Sequence, residues 1–291
     1  MSAKSNAERL VSLSVMGNIA APSMSPLPAM PYTISAEGES YLLPLNGSIV
    51  YNVAVGDPAF GWLADCPQPG VSISLKDAMG NVGLNMLVCV GNIAVVQSGD
   101  ANGARGVVTG KSGRFTDQVM IYFDKATLNK LVIGDKIVIQ AHGTGLQLDN
   151  HPDVHIKSCS PRLLDALEVS PTANGKLGVP VTTIIPAYLI GAGTGSTSEA
   201  GAIHLQTDDR DTLRESGLDS LRIGDLVAIN DYDSTWGNGY RRGAVTVGVL
   251  SSGDSPRSGY GPGITVLMTS ARGGIQPFAA PNVNLKDIFN L

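Results

Sequence analysis

Two stretches of this chain are built to one plan. Leu128–Ile139 reads LNKLVIGDKIVI and Leu218–Ile229 reads LDSLRIGDLVAI; both fit L-x-x-L-x-I-G-D-x-[IV]-x-I, at an offset of 218 − 128 = 90 residues. A shorter echo, VAVGDPAF, occurs at Val53–Phe60. The physics of the unit is local. Two leucines three apart share one face of a helical turn. Glycine enters the positive-φ region that strains other residues. The aspartate that follows can accept backbone N–H groups of the turn, and alternating apolar positions then bury one face of the strand beyond. Such turns feed strands into small barrels, and Asp135 and Asp225 read as structural residues.

The remaining chain agrees with that constraint. Its 35 Gly and 17 Pro punctuate short runs of Val, Ile and Leu, the pattern of many short strands joined by tight turns. Strands are expected at Ser48–Val55, Met86–Val90, Ile93–Gln97, Val119–Phe123, Lys136–Gln140, Val179–Ile185, Leu226–Asn230, Ala244–Leu250 and Ile264–Met268. Helical pattern is scarce. Pro161–Leu167 has Ser160 as its N-cap and Pro161 at its first position; Asp208–Ser216 is a second short helix and Ala126–Leu131 a single turn. The expected fold is mainly β (α+β): two β-barrel-like halves with short helices, 1–158 and 159–291, the second carrying the second Gly-Asp unit. Ala20–Pro31 reads as an extended Pro-rich arm, and Gly191–Gly201 as a low-complexity connector.

Charged residues make up 15% of the chain and hydrophobic ones 43%, against roughly 25% charged in an average protein. So little charge implies either a large core or subunits that cover one another, and of the two a homo-oligomer is expected. The net charge of −5, with Lys and Arg scattered, argues against a nucleic-acid partner. No stretch of about 18 apolar residues exists to span a membrane. The N-terminal residues lack a secretory apolar segment. The three cysteines, Cys66, Cys89 and Cys159, read as reduced thiols. A cytoplasmic location is expected.

Four segments carry candidate chemistry. Asn230–Gly243 (NDYDSTWGNGYRRG) crowds two carboxylates, a Trp, a Tyr and two guanidinium groups into one loop. Asp231 and Asp233 at i and i+2 on a continuing strand point the same way. They would then share a divalent cation or split their pKa values for acid–base work; Tyr240 and Arg241 would supply a proton and an anion grip. The plainer reading is a polar turn with surface ion pairs. Ser251–Gly263 (SSGDSPRSGYGPG) reads as a long loop above a hairpin, with Asp254, Arg257 and Tyr260 as its polar tips. In Gly61–Ser72, Asp65 and Cys66 precede a Pro-x-Pro-Gly turn; no cation stands beside Cys66 in sequence to activate a thiolate, so a buried inert thiol competes with a nucleophile. Gly99–Arg114 carries Arg105, Lys111 and Arg114 among glycines, yet matches neither phosphate-binding spacing. Of the histidines, His151 and His155 flank Pro152 and do not form a helical zinc pair. His142 follows the first Gly-Asp unit and His204 follows the Gly-rich connector; either is a candidate substrate contact or a satisfied polar residue. No G-x-S-x-G elbow is present.

At YNVAVGD, CVGN, SGDANGARGVVTGK, IGDKIVI, LRIGDLVAI, GYRRGAVTVGV and GYGPG the chain resembles a prokaryotic family classed only as a domain of unknown function, over about Leu10 to Ile275. The resemblance implies a largely β, oligomeric, cytosolic protein and no settled activity. It also implies a site where the family often has His at positions that are Cys66, Ser112, Ser252 and Tyr260 here, Glu at Gln68, and acids at Ala202 and His204. Poorer metal ligands stand there in this chain, so a metal site of the family would be lost or remodelled. At the level of fold alone the barrel turns and polar loops look like the acetamidase and formamidase group, which cleaves small amides. The resulting expectation is an enzyme acting on a small polar metabolite, at an amide or lactam C–N bond. Asp231 or Asp233 would be its base or cation ligand, Arg241 or Lys111 would hold substrate charge, and Tyr240 or Tyr260 would donate a proton. The alternatives are a non-catalytic metabolite-binding barrel, and a cyclase or isomerase whose metal site has become an organic pocket.

Overall fold

The computed structural model describes residues 4–22, 32–45, 47–113, 117–199 and 201–291. Most of the Pro-rich arm and Arg114 lie outside the described residues. The fold is mainly β, with five short α-helices among the described residues.

The first half closes on itself. Strands β1 (Leu13–Ile19), β2 (Gly70–Ser74), β3 (Ile93–Val96), β4 (Arg105–Ser112), β5 (Gln118–Tyr122) and β6 (Lys136–Ala141) pair in the cyclic order β1-β6-β3-β4-β5-β2. The ring is completed where Asn18 and Ile19 of β1 face Ser74 and Ile73 of β2. All pairings around it are antiparallel. Ile73, Val96, Val108, Val119, Ile121, Ile137 and Ile139 fill one apolar cluster, as alternating strand residues of a small closed barrel must. Helix α1 (Ala78–Leu87) adds Leu84 to that cluster.

The second half is an open sheet of β7 (His155–Ile156), β8 (Thr183–Pro186), β9 (Ile203–His204), β10 (Leu226–Asp233), β11 (Gly239–Leu250) and β12 (Gly263–Ser270). Its order is β7-β12-β11-β10-β8, with β9 also on β12 and only β8–β10 parallel. The two halves touch where β4 meets β12 and the loop before it. Lys111 N donates to Thr265 Oγ1 at 2.9 Å, and a Cβ on Gly110 would lie 2.2 Å from Ser251 Cβ. Only glycine admits that approach.

The Gly-Asp units form the expected turns. Gly134 and Gly224 have φ of 92° and 94°. Asp135 accepts from Val132 N at 2.9 Å and Asp225 from Arg222 N at 2.7 Å. In the short echo, Asp57 accepts from Ala54 N at 2.8 Å. Helices occur at Pro161–Ala166, with the Ser160 hydroxyl accepting from Leu163 N, at Arg210–Glu215 and at Lys125–Leu128. Three strand expectations need correction. Val179–Ile185 is the end of one strand, Leu177–Val181, and the start of another, β8, in a different sheet, the chain crossing over at Thr182. Met86–Val90 is the end of α1 and the residues after it, because the Asp77 side chain caps Gly80 N and starts a helix upstream. Within Ser48–Val55 only Ile49–Val50 is strand, because the Gly-Asp echo turns the chain immediately afterwards.

Candidate functional site

Two loops interleave at the junction of the halves. One runs through Ala59–Pro67; the other follows β11 through Gly253–Gly261. Asp254 N donates to Ala59 O at 2.8 Å, Gly253 N to Pro67 O at 2.9 Å, and Cys66 N to Asp254 O at 2.8 Å. This zipper carries Asp65 and Cys66 inward. Cys66 takes a φ of 52°, a left-handed conformation that costs a β-carbon-bearing residue of its kind on the order of 1 kcal/mol.

Asp65 is 1% exposed. Its Oδ2 accepts from Arg257 Nη2 at 2.8 Å and from the Tyr41 hydroxyl at 2.7 Å, and its Oδ1 accepts from Ser255 Oγ at 2.7 Å. Burial and the adjacent Asp65 carboxylate push the Tyr41 phenol up to about 12, so it remains a donor. The Arg257 guanidinium lies 5.0 Å from the Tyr260 ring. Asp254 accepts from Thr207 Oγ1 and Arg210 Nη2, each at 2.6 Å. Both carboxylates are therefore committed to holding the loops together, as buried charges must be.

His204, on β9, stands beside this network. Its Nδ1 is 2.8 Å from Gly261 O, its ring centroid is 4.9 Å from that of Tyr260, and the Cys66 Sγ is 4.0 Å from Nδ1. The carbonyl can only accept, so Nδ1 carries the proton and Nε2 the lone pair. Nε2 has no hydrogen-bond partner among the described residues, and the side chain is half-buried. Burial holds the imidazole below its ordinary pKa, against the pull of the Gly261 carbonyl and Asp65. Burial, then Asp65, pushes the Cys66 thiol well up. A thiol so placed packs against the ring and does not serve as a ready nucleophile. Ser252 Oγ, Ala202 Cβ and His204 Cε1 all surround Gly263, within 2.6–3.6 Å of where its Cβ would be. Cys66, Ala202, His204, Ser252 and Tyr260, spread over the two halves in sequence, thus gather at one place. A cleft of about 360 Å³, whose lining includes Leu43, Trp62, Leu63, Arg210, Asp254 and Ser255, opens on the carboxylate network; His204 is not among the residues that line it.

The other candidate residues lie elsewhere. Asp231 sits at a bulge with a φ of 57°, and its carboxylate accepts from Gly243 N at 2.6 Å. Asp233 accepts from Thr235 N at 3.0 Å and Thr235 Oγ1 at 2.6 Å, with Arg241 at 3.4 Å. The bulge breaks the alternation that would have aimed the two carboxylates together, and each is bonded to different partners within the one β10–β11 hairpin. Tyr240 is 70% exposed. His142 is tied to Asn92 through its main chain alone. Lys111 is buried and points to Ser158 and the Glu199 main chain. Among the described residues no group of three or more His, Cys, Asp or Glu side chains is arranged to hold a metal ion, and no helix is long and apolar enough to cross a membrane. Sequence reasoning missed Tyr41, Thr207 and Arg210, which stand in no candidate segment, and Ser255, which lies between the named polar tips of Ser251–Gly263.

Two family models, the N-terminal and C-terminal parts of a domain of unknown function, DUF4438, match residues 32–165 and 166–289. The chain belongs to the DUF4438 family. The crystal structure of TM1086 is 39% identical in sequence over 99% of both chains, with a TM-score of 0.91. No curated protein matches the chain. Membership in DUF4438 brings a fold and no activity, so the function has to be argued from the site itself.

Proposed function

We propose that this chain acts on a small polar metabolite at the junction of its halves, with His204 as the acid–base group and an amide or lactam C–N bond as the bond cleaved. The observation that carries the reading is the His204 ring. It is oriented through Nδ1 by Gly261 O, packed against Cys66 and Tyr260, and left with Nε2 unengaged among the described residues. An imidazole kept neutral by burial and fixed at one nitrogen is suited to take a proton from water or a substrate N–H. Asp65, Arg257 and Tyr41 hold the ring's surroundings and do not react. Asp231 and Asp233, engaged in their own hairpin, have no part in it.

A panel of small amides and lactams tests this. His204→Asn is expected to lower turnover by about 10²–10⁴-fold, while Asp233→Asn leaves it unchanged. Full turnover by the His204 variant overturns the reading. A second reading, a non-catalytic metabolite-binding module, is favoured by the full pairing of Asp65 and Asp254. A ligand that raises Tm and is recovered unchanged supports it. Self-association is supported by the exposure of Met79, Val82, Met86, Leu13 and Met16; a monomer in sedimentation analysis would remove that support.

A further inference from the structure

A second polar cluster occupies the same junction and plays no part in the His204 chemistry. Lys111, on β4, is 1% exposed. Its Nζ donates to Ser158 Oγ at 2.9 Å and to the main-chain oxygen of Glu199 at 3.0 Å. Both acceptors are neutral. Lys157, its side chain 7% exposed, takes the Glu199 carboxylate at 2.6 Å. Lys157 also donates to Thr235 O and lies 5.3 Å from the Trp236 ring. Ser198 Oγ donates to the second Glu199 oxygen at 3.1 Å. The cluster therefore holds two buried ammonium groups against one carboxylate. A buried charge without a counter-charge is costly, and the third N–H of Lys111 has no acceptor among the described residues.

We propose that this cluster is a binding site for the carboxylate of a small metabolite, and that Glu199 occupies it as a resident internal carboxylate. Glu199 is suited to that part. Its side chain is 29% exposed and it lies in no strand, so the side chain can turn out to solvent without unpairing one. An incoming carboxylate then pairs with Lys157 and meets the spare donor of Lys111. A carboxylate supplies the missing negative charge and accepts from two ammonium groups at once. Burial, in the absence of that partner, holds the Lys111 amine down to about 8.

The site stands whether or not His204 proves catalytic, because its test reads binding and not turnover. Isothermal titration of the full chain with acetate, glutarate and inorganic phosphate, at constant ionic strength set with chloride, measures it. Glu199→Gln removes the internal competitor and is expected to bind glutarate about tenfold tighter than the natural chain, or about 1.4 kcal/mol. Adding Lys111→Met to Glu199→Gln is expected to abolish that binding. Lys111→Met replaces a buried charge by an apolar side chain of similar length and is expected to keep its Tm; should it not fold, Lys157→Gln in the same background serves in its place. The proposal falls if Glu199→Gln gains nothing, if the gain survives loss of the lysine, or if phosphate binds more tightly than either carboxylate.

Discussion

The two ends of β11 carry much the same chemistry and have different surroundings. The hairpin it forms with β10 holds Asp231, Asp233, Tyr240 and Arg241; the loop after it holds Asp254, Arg257 and Tyr260. The first is a hairpin that projects, with Trp236 81% and Tyr240 70% exposed, and its one ion pair spans 3.4 Å. The second is pinned beneath the Ala59–Pro67 segment, where Arg257 meets an Asp65 carboxylate shielded from water. Crowding of polar residues in sequence does not distinguish the two. What distinguishes them is a second segment that excludes water and makes each unpaired charge expensive.

That contrast can be broken by mutation. Arg257→Met removes one partner of the buried pair and is expected to cost about 3–5 kcal/mol in chemical denaturation. Arg241→Met, at the exposed pair, is expected to cost about 0.5 kcal/mol or less. Equal losses would mean that the loops are equally buried in solution. Glycines report the same difference on a smaller scale. A Cβ on Gly261 would lie 2.0 Å from Leu205 O, whereas nothing lies within 4 Å of one on Gly239. Gly261→Ala is expected to destabilise by about 1–3 kcal/mol and Gly239→Ala to leave the melting temperature where it was.

The smallest effect concerns pH. Burial lowers the His204 pKa from an ordinary value of 6.5, so the unfolded chain takes up a proton that the folded chain refuses. The unfolded state binds more protons, and stability therefore falls as pH drops below the unfolded pKa and levels off below the folded one. His204→Asn is expected to flatten Tm against pH across that window. A slope identical to that of the natural chain would show that another group is responsible.

The turns were legible because their causes are local. Each Asp reaches a backbone N–H three residues back, and each Gly supplies the one conformation the reversal needs, so the same bond recurs at Asp57, Asp135 and Asp225. Helix α1 was not legible, since Gly80, Gly83 and two Asn break its pattern and its stability comes from Leu84 against the barrel. The site was legible only in part. Asp65, Cys66, His204, Asp254 and Tyr260 could be named, but not their meeting, because Cys66 and His204 are 138 residues apart and Asp65 and Arg257 are 192 apart. The hairpin at Asp231–Arg241 was the more conspicuous candidate because its polar residues are neighbours in the chain.

From sequence alone followed a mainly β chain in two halves, reversed by Gly-Asp turns, because glycine φ, carboxylate reach and strand alternation act within a few residues. Which half would close was decided by β1 reaching β2, a pairing that no local pattern encodes. The interleaving of Ala59–Pro67 with Gly253–Gly261 likewise decided which carboxylates are dry and which histidine stands beside them, since burial is a property of the whole packed chain.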